Sequence, residues 1–327
     1  MILIGQRFRL LHRLLLTFDV EDFINERSFE ALHVIIELLK KYDLRALFFV
    51  TGHMAERLKL LPIIQRSLGI HEIGFHSSAH SVHPTIFEYC DIEEYDNAYS
   101  MSLRRETSRI NPISGEIEGA GGLQTLKSLF SSNNIQAYRA PGFCCPPPNL
   151  EAMATLGLKH DFSWNLSRVP VAFRDVTFYP RPVFRDCETA LLVGKPKVTC
   201  WGRFLRSVFM ERTTVLNFHP SILVNKDHWD SLYHKGNPQE LRRASPRSIS
   251  QIRTMYANLE RLLSLISKLR KLRIVDSSPD LSTSRTHLNT DDIDIDQVAS
   301  GLASWPRTFF AYEPKYLKSQ IYRFLNP

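Results

Sequence analysis

Leu14-Leu-Leu-Thr-Phe-Asp-Val-Glu-Asp22 drives an apolar run straight into three acids, Asp19, Glu21 and Asp22. Leu14–Val20 reads as a β-strand. Acids gathered at the end of such a strand lose hydration unless a cation or a hydrogen-bonding partner compensates. Alone, the cluster also suits a helix cap or a surface salt-bridge patch, because acids commonly open helices. Its meaning depends on what else in the chain ends at the same place.

Outward from this stretch, apolar strand-like runs alternate with helical periodicity, the pattern of an α/β protein with a largely parallel sheet. A helix is expected over Ser28–Tyr42, with Ser28 as its N-cap and Leu32, Ile35, Ile36 and Leu39 on one face. Further strands are expected at Leu44–Val50, His71–Phe75, Ile135–Arg139 and Val215–Phe218, with Arg273–Asp276 closing the set. Helices are expected at Met54–Ser67, Ile92–Ile110, Leu123–Ser131, Leu150–Leu156 and Ser248–Leu272. Polar clusters then fall at strand ends: Asp19–Asp22, His76–His80, Arg139–Gly142 and His219. Barrel-like α/β enzymes place their catalytic groups there.

At 327 residues, 43% hydrophobic and 23% charged, the composition is that of a globular chain and excludes disorder. The net charge of +7 is scattered and no nucleic-acid motif accompanies it, so it reads as solvated surface with no nucleic-acid partner. Five cysteines without a CxxC pair point to free thiols in a reducing compartment, hence a cytoplasmic protein. Residues 1–16 are broken by Arg7, Arg9, His12 and Arg13 and lack a cleavage site, so they lead into the first strand instead of forming a signal. No run approaches the roughly 20 apolar residues of a transmembrane helix.

His76-Ser-Ser-Ala-His80 offers two imidazoles four residues apart, able to meet on one metal if they share a helical turn. His83 reads as a loop residue before Pro84 instead of a third ligand. With an acid from Asp19–Asp22, the pair makes the three-ligand, open-position set of a catalytic zinc site. A remaining carboxylate could then serve as general base.

Five motifs in order resemble the polysaccharide deacetylase family, carbohydrate esterase family four. They are Thr17-Phe18-Asp19, His76-Ser77-Ser78-Ala79-His80 after His71-Glu72-Ile73-Gly74, Arg139-Ala140-Pro141-Gly142, Asp161-Phe162-Ser163-Trp164, and Leu216-Asn217-Phe218-His219-Pro220. Phe48-Phe49-Val50-Thr51-Gly52 is similar to the family's second strand. The resemblance implies a distorted (β/α) barrel of about seven or eight strands. Since the chain turns polar from about Ser277 to Asp296, residues 1–276 read as the catalytic domain and 277–327 as a polar linker with an aromatic tail packed on it. The expected reaction is removal of N-acetyl groups from an N-acetylated carbohydrate with one divalent ion, zinc first and cobalt or another divalent ion as alternatives. Asp19 would be the general base, His76 and His80 metal ligands, and Arg139 the partner that holds Asp19 ionised. The backbone N–H near Gly142 would face the oxyanion. His219 would be the general acid, oriented by Asp161, with Trp164 shielding that pair and shaping the acetyl pocket.

The first motif departs from the family, because Val20 stands where the metal-binding acid usually follows the base. Either Asp22 or Glu21 must replace it, and the shorter carboxylate of Asp22 is the slightly favoured reading. Two alternatives follow: an amidohydrolase of non-sugar amides, or a catalytically silent sugar-binding relative. The tail from Ser304, with Trp305, Phe309, Phe310, Tyr312, Tyr316, Tyr322 and Phe324, is expected to pack on the body, since exposed aromatic patches of that size are uncommon.

Overall fold

The structure, a computed structural model, describes residues 11–183, 187–193, 198–210, 212–281 and 286–327. The lead-in at residues 1–10 therefore lies outside the described residues, as does the side chain of Cys187.

Strands β1 (His12–Val20), β2 (Leu47–Val50) and β3 (Glu72–Phe75) run parallel in sequence order. A separate hairpin, β4 (Ser108–Ile110) and β5 (Ile117–Ala120), stands beside them. The sheet continues through β6 (Ala137–Tyr138), β7 (His160–Asp161), β8 (Val171–Phe173), β9 (Val176–Phe178), β10 (Thr213–Phe218), β11 (Val275–Asp276) and β12 (Thr286–His287). Ten of these strands form one sheet in the order β10-β1-β2-β3-β6-β7-β9-β8-β12, with β11 paired to the start of β1. Only the β8–β9 pair is antiparallel in it. The sheet curls into a half-barrel, the α/β architecture expected, with extra short strands at one side.

Twelve α-helices accompany the sheet among the described residues. They are α1 (Glu26–Lys41), α2 (Gly52–Leu58), α3 (Pro62–Leu68), α4 (Tyr95–Glu106), α5 (Leu123–Leu129), α6 (Pro147–Thr155), α7 (Cys187–Leu191), α8 (Val198–Met210), α9 (Pro220–Val224), α10 (Ile249–Lys271), α11 (Ile295–Phe310) and α12 (Leu317–Leu325). No helix is long and apolar enough to cross a membrane among the described residues.

Some expected elements divide. The helix read over Met54–Ser67 breaks into α2 and α3 because Pro62 supplies no backbone N–H and sets the first turn of a new helix. The helix read over Ile92–Ile110 ends at Glu106, and its last residues become β4. Ser28 does not cap α1; Asn25 occupies the cap position, and the Ser28 hydroxyl donates to Asp22 instead. The stretch read as linker carries β12 and the start of α11.

Alternation along β1 decides what faces where. Leu14, Leu16, Phe18 and Val20 enter the large core under the helices. Leu15 turns into the concave face, with Leu47, Phe49, Ala137, Phe162, Tyr179 and Val215. Thr17 and Asp19 continue that face toward the carboxyl end of the barrel. Gly74 in β3 makes room on the same face, since a Cβ there would lie 2.7 Å from the Phe49 ring and 3.2 Å from Ala137 Cβ. Phe49 has little freedom to yield, held between Phe162 at 5.1 Å and the Arg139 guanidinium at 4.1 Å.

The tail packs on this body. Phe324 meets Trp164 at 5.6 Å, and Gln320 Nε2 donates to the carbonyls of Tyr89 and Ile92, both at 3.0 Å. Gly74→Ala is expected to lower stability by about 1–3 kcal/mol, the usual cost of overpacking. A fall in the urea midpoint at constant slope checks this; an unchanged midpoint would mean that Phe49 moves aside freely.

Candidate active site and metal centre

The carboxyl ends of β1, β3, β6 and β10 surround a cavity of about 350 Å³. Arg139 follows β6 and is 1% exposed. Its Nη1 donates to Asp19 Oδ1 at 2.7 Å and to Asn217 Oδ1 at 2.6 Å, while Nη2 donates to Thr17 Oγ1 at 3.0 Å. The guanidinium expected to hold Asp19 is thus shared among three residues. Asn217 Nδ2 completes the set by donating to Asp19 Oδ2 at 2.6 Å. Burial pushes the Asp19 carboxyl up, but the charges of Arg139, His76 and His219 together outweigh it and hold Asp19 well below the usual carboxylate range.

Glu21, His76 and His80 converge, with one ligand atom from each within 4.8 Å of the others. Glu21 Oε2 lies 3.2 Å from His76 Nε2 and 2.9 Å from His80 Nε2. Tetrahedral ligands about 2.0–2.2 Å from zinc would stand roughly 3.3–3.6 Å apart, close to these spacings. Outer contacts fix the imidazoles for this role. His76 Nδ1 bonds to the carbonyl of Arg139 at 2.7 Å. His80 Nδ1 bonds to Ser81 Oγ at 2.6 Å, which donates to Asp230 Oδ2 at 2.5 Å. With both Nδ1 atoms engaged as donors, both Nε2 lone pairs face Glu21, the arrangement ligating histidines show. Trp229 Nε1 donates to the other oxygen, Glu21 Oε1, at 2.9 Å. The buried carboxylates Asp19, Glu21, Glu188 and Asp230 line this cavity with a single buried guanidinium, Arg139, among the described residues. A divalent cation suits that imbalance.

Asp22, the ligand favoured from sequence, is not in this set. In an extended chain residues i and i+2 share a side, so Glu21 follows Asp19 toward the cavity and Asp22 turns away. There it accepts from the backbone N–H groups of Ile24 and Asn25, from Asn25 Nδ2, and from Ser28 Oγ at 2.5 Å. Burial raises its pKa, against the hydrogen bonds from Ser28 and Asn25.

The histidine pair also sits on a loop instead of a helical turn, with Ser77 at φ 68° and His80 at φ 50°. Non-glycine residues hold such angles only where their surroundings over-determine them. Glu106, fully buried, does this: it accepts from Ser77 Oγ at 3.1 Å and from Ser78 N at 2.7 Å, and its backbone carbonyl accepts from Ser78 Oγ at 3.0 Å.

His219 follows β10 with Nε2 3.4 Å from Asp19 Oδ2. Its orienting partner is Glu188 on α7, not Asp161. Glu188 Oε1 lies 2.7 Å from His219 Nδ1 and also accepts from the His219 backbone N–H. Burial pushes the imidazole pKa down, but the Glu188 and Glu21 charges and the bond to Asp19 carry it well above its ordinary value. Asp161 instead accepts from the backbone N–H groups of Ser163 at 3.0 Å and Trp164 at 2.7 Å, and burial pushes its pKa up to about 6. Trp164 is 1% exposed and packs against Phe178 and Phe324, with its indole N–H on the Cys145 carbonyl at 2.8 Å; it does not line the cavity. Gly142 does line it, at φ 58°.

Glu188, Asp230, Asn217 and Trp229 were missed from sequence. Asn217 stands alone as a polar residue in the apolar run that ends at His219, a signal that could have been used, whereas Asp230 lies in the polar stretch 225–235 and offers none. Glu188 carries none, since it acts from a separate helix. Glu21→Ala is expected to weaken zinc binding beyond the roughly 10–100-fold typical of an outer partner. Asp22→Ala should leave it intact and cost about 1–3 kcal/mol of stability. Zinc titration beside urea unfolding reads both, and the reverse pattern would return Asp22 to the ligand set.

Residues 12–157 match the family model described as polysaccharide deacetylase. No curated protein matches the sequence significantly. Among solved structures, the chain is similar to a CE4 esterase from Streptococcus mutans, at 16% identity and TM-score 0.45, covering 82% of this chain and 85% of that one. It is similar to a family 4 carbohydrate esterase from Streptomyces lividans, in complex with acetate, at 12% identity and TM-score 0.41, covering 85% and 98%. A CE4 family pseudoenzyme from Bacillus anthracis is also similar, at 15% identity and TM-score 0.39, covering 87% and 66%. The similarity to the polysaccharide deacetylase family thus spans residues 12–157, the part of the chain that carries Asp19, Glu21, His76, His80 and Arg139.

Proposed function

We propose that this chain is a metal-dependent deacetylase of an N-acetylated sugar or polysaccharide precursor. The observation that carries the reading is the meeting of Asp19, His219 and the Glu21–His76–His80 cluster on one cavity. A divalent ion on that cluster, zinc by its donor set, would polarise the acetamide carbonyl and make water more acidic.

The chain's own groups do the rest. Asp19, kept ionised by Arg139 and aimed by Asn217, takes a proton from the attacking water as its oxygen bonds to the carbonyl carbon. The backbone at Gly142 faces the oxygen on which negative charge gathers. His219, held protonated by Glu188, gives its proton to the sugar nitrogen as the C–N bond breaks. Acetate and the free amine result.

The purified protein is expected to hold about one zinc per chain, as a single three-ligand site implies, and to release acetate from chitin oligomers until a chelator is added. Asp19→Asn should lower kcat about 10²–10⁴-fold, the usual worth of general-base catalysis. Acid His219 works only while protonated, so activity is lost as pH rises through its raised pKa. Glu188→Gln removes a charge that raises that pKa and should move the basic limb of the pH profile to lower pH. Metal without acetate release would redirect the reading to a non-sugar amide. A folded protein that takes up no metal would leave a silent sugar-binding relative.

A further inference from the structure

Helix α11 lies beyond the residues matched by the family model, yet it builds one wall of the cavity. Trp305, Thr308 and Phe309 line the opening beside Phe143 and Gly142. Trp305 lies directly on Gly142, where a Cβ would come within 2.3 Å of the indole. The close fit explains why glycine stands there, and it fixes the indole beside the reaction centre. Arg181 ties the same helix down, donating to the carbonyls of Gly301 at 3.3 Å, Phe143 at 3.1 Å and Ser163 at 2.9 Å.

The rings of α11 divide by surroundings. Phe310 packs inward on Phe87 at 4.9 Å and on Trp305 at 4.8 Å. Phe309, 5.6 Å from Trp305, is instead 49% exposed at the cavity rim. Exposed aromatic surface at a cavity mouth is costly unless a ligand covers it. The same cavity also carries polar groups: His234 borders the aromatic wall, its ring 6.2 Å from Phe309 and 5.3 Å from Phe310, and His228 and Asp230 line it as well. Aromatic rings with hydrogen-bonding groups at their border match a pyranose, whose axial C–H groups form a flat apolar side and whose hydroxyls project from the edge. An acyl chain would need apolar walls on both sides.

We infer that α11 forms a saccharide subsite, with a pyranose ring stacked on Trp305 and flanked by Phe309 while its acetamido group points to Asp19 and His219. The inference rests on the deacetylase reading and names the element that selects its sugar. Contacts to this non-reacting ring supply binding that positions the amide.

Calorimetry with triacetylchitotriose, on the full-length zinc-loaded chain carrying Asp19→Asn to stop turnover, tests it directly. Trp305→Ala is expected to raise Kd about tenfold and Trp305→Phe to restore most of the loss, the scale of one aromatic contact. Phe309→Ala, at the rim and clear of Gly142, should weaken binding several-fold. In the Asp19-containing enzyme the same substitutions should raise KM more than they lower kcat. A fall in kcat with unchanged Kd would overturn the subsite, leaving Trp305 as support for the Gly142 turn. Failure of the chain to bind the trisaccharide would overturn it as well. Trp305-dependent binding without acetate release would uphold the subsite and sink the deacetylase reading; acetate release with Trp305-independent binding would do the opposite.

Discussion

A guanidinium sealed inside the barrel mouth sets the terms for everything around it. Arg139 is 1% exposed, and a buried charge of that kind is tolerated only with counter-charge and hydrogen bonds at close range. Asp19 supplies the charge, and Asn217 and Thr17 supply acceptors, which locks β1, β6 and β10 together at their carboxyl ends. The flat faces of Phe49 and Phe162 lie 4.1 and 5.6 Å from the guanidinium carbon. The cation that holds Asp19 ionised is therefore also a packing element of the concave core.

The carbonyl of the same Arg139 accepts from His76 Nδ1, so one residue holds both the proposed base and an imidazole of the candidate metal centre. The loop that carries the histidine pair stays in its left-handed angles because Glu106 reaches it from the end of α4. Function here costs local backbone strain and a buried carboxyl, offset by contacts from elements distant in sequence. Helix α11 joins the same scheme through Trp305 on Gly142 and Arg181 on Gly301.

Much of this was legible in the sequence. The strands that carry Asp19, His76, Arg139 and His219 were readable from apolar runs that stop at polar residues. The period of two along Asp19-Val20-Glu21-Asp22 would have chosen Glu21, since it shares a side with Asp19; preferring the shorter carboxylate led to Asp22 instead. Asp161 and Trp164 carry a family pattern, yet this chain buries both as backbone anchor and core filler. Glu188 takes the orienting role from a helix with no motif to announce it.

The sequence by itself determined the α/β class, where most of the main parallel strands lie along the chain and which strand ends bear chemistry, because alternation, periodicity and breakers such as Pro62 act over a few residues. Only the tertiary structure decided which carboxylate meets the histidines, which acid orients His219, and that a helix near residue 305 walls the cavity. Those outcomes depend on distances between groups 50 to 200 positions apart along the chain, such as Glu21 with His76 and Asp19 with Asn217. Local pattern carries no information about such distances until the sheet curls and brings the strand ends together.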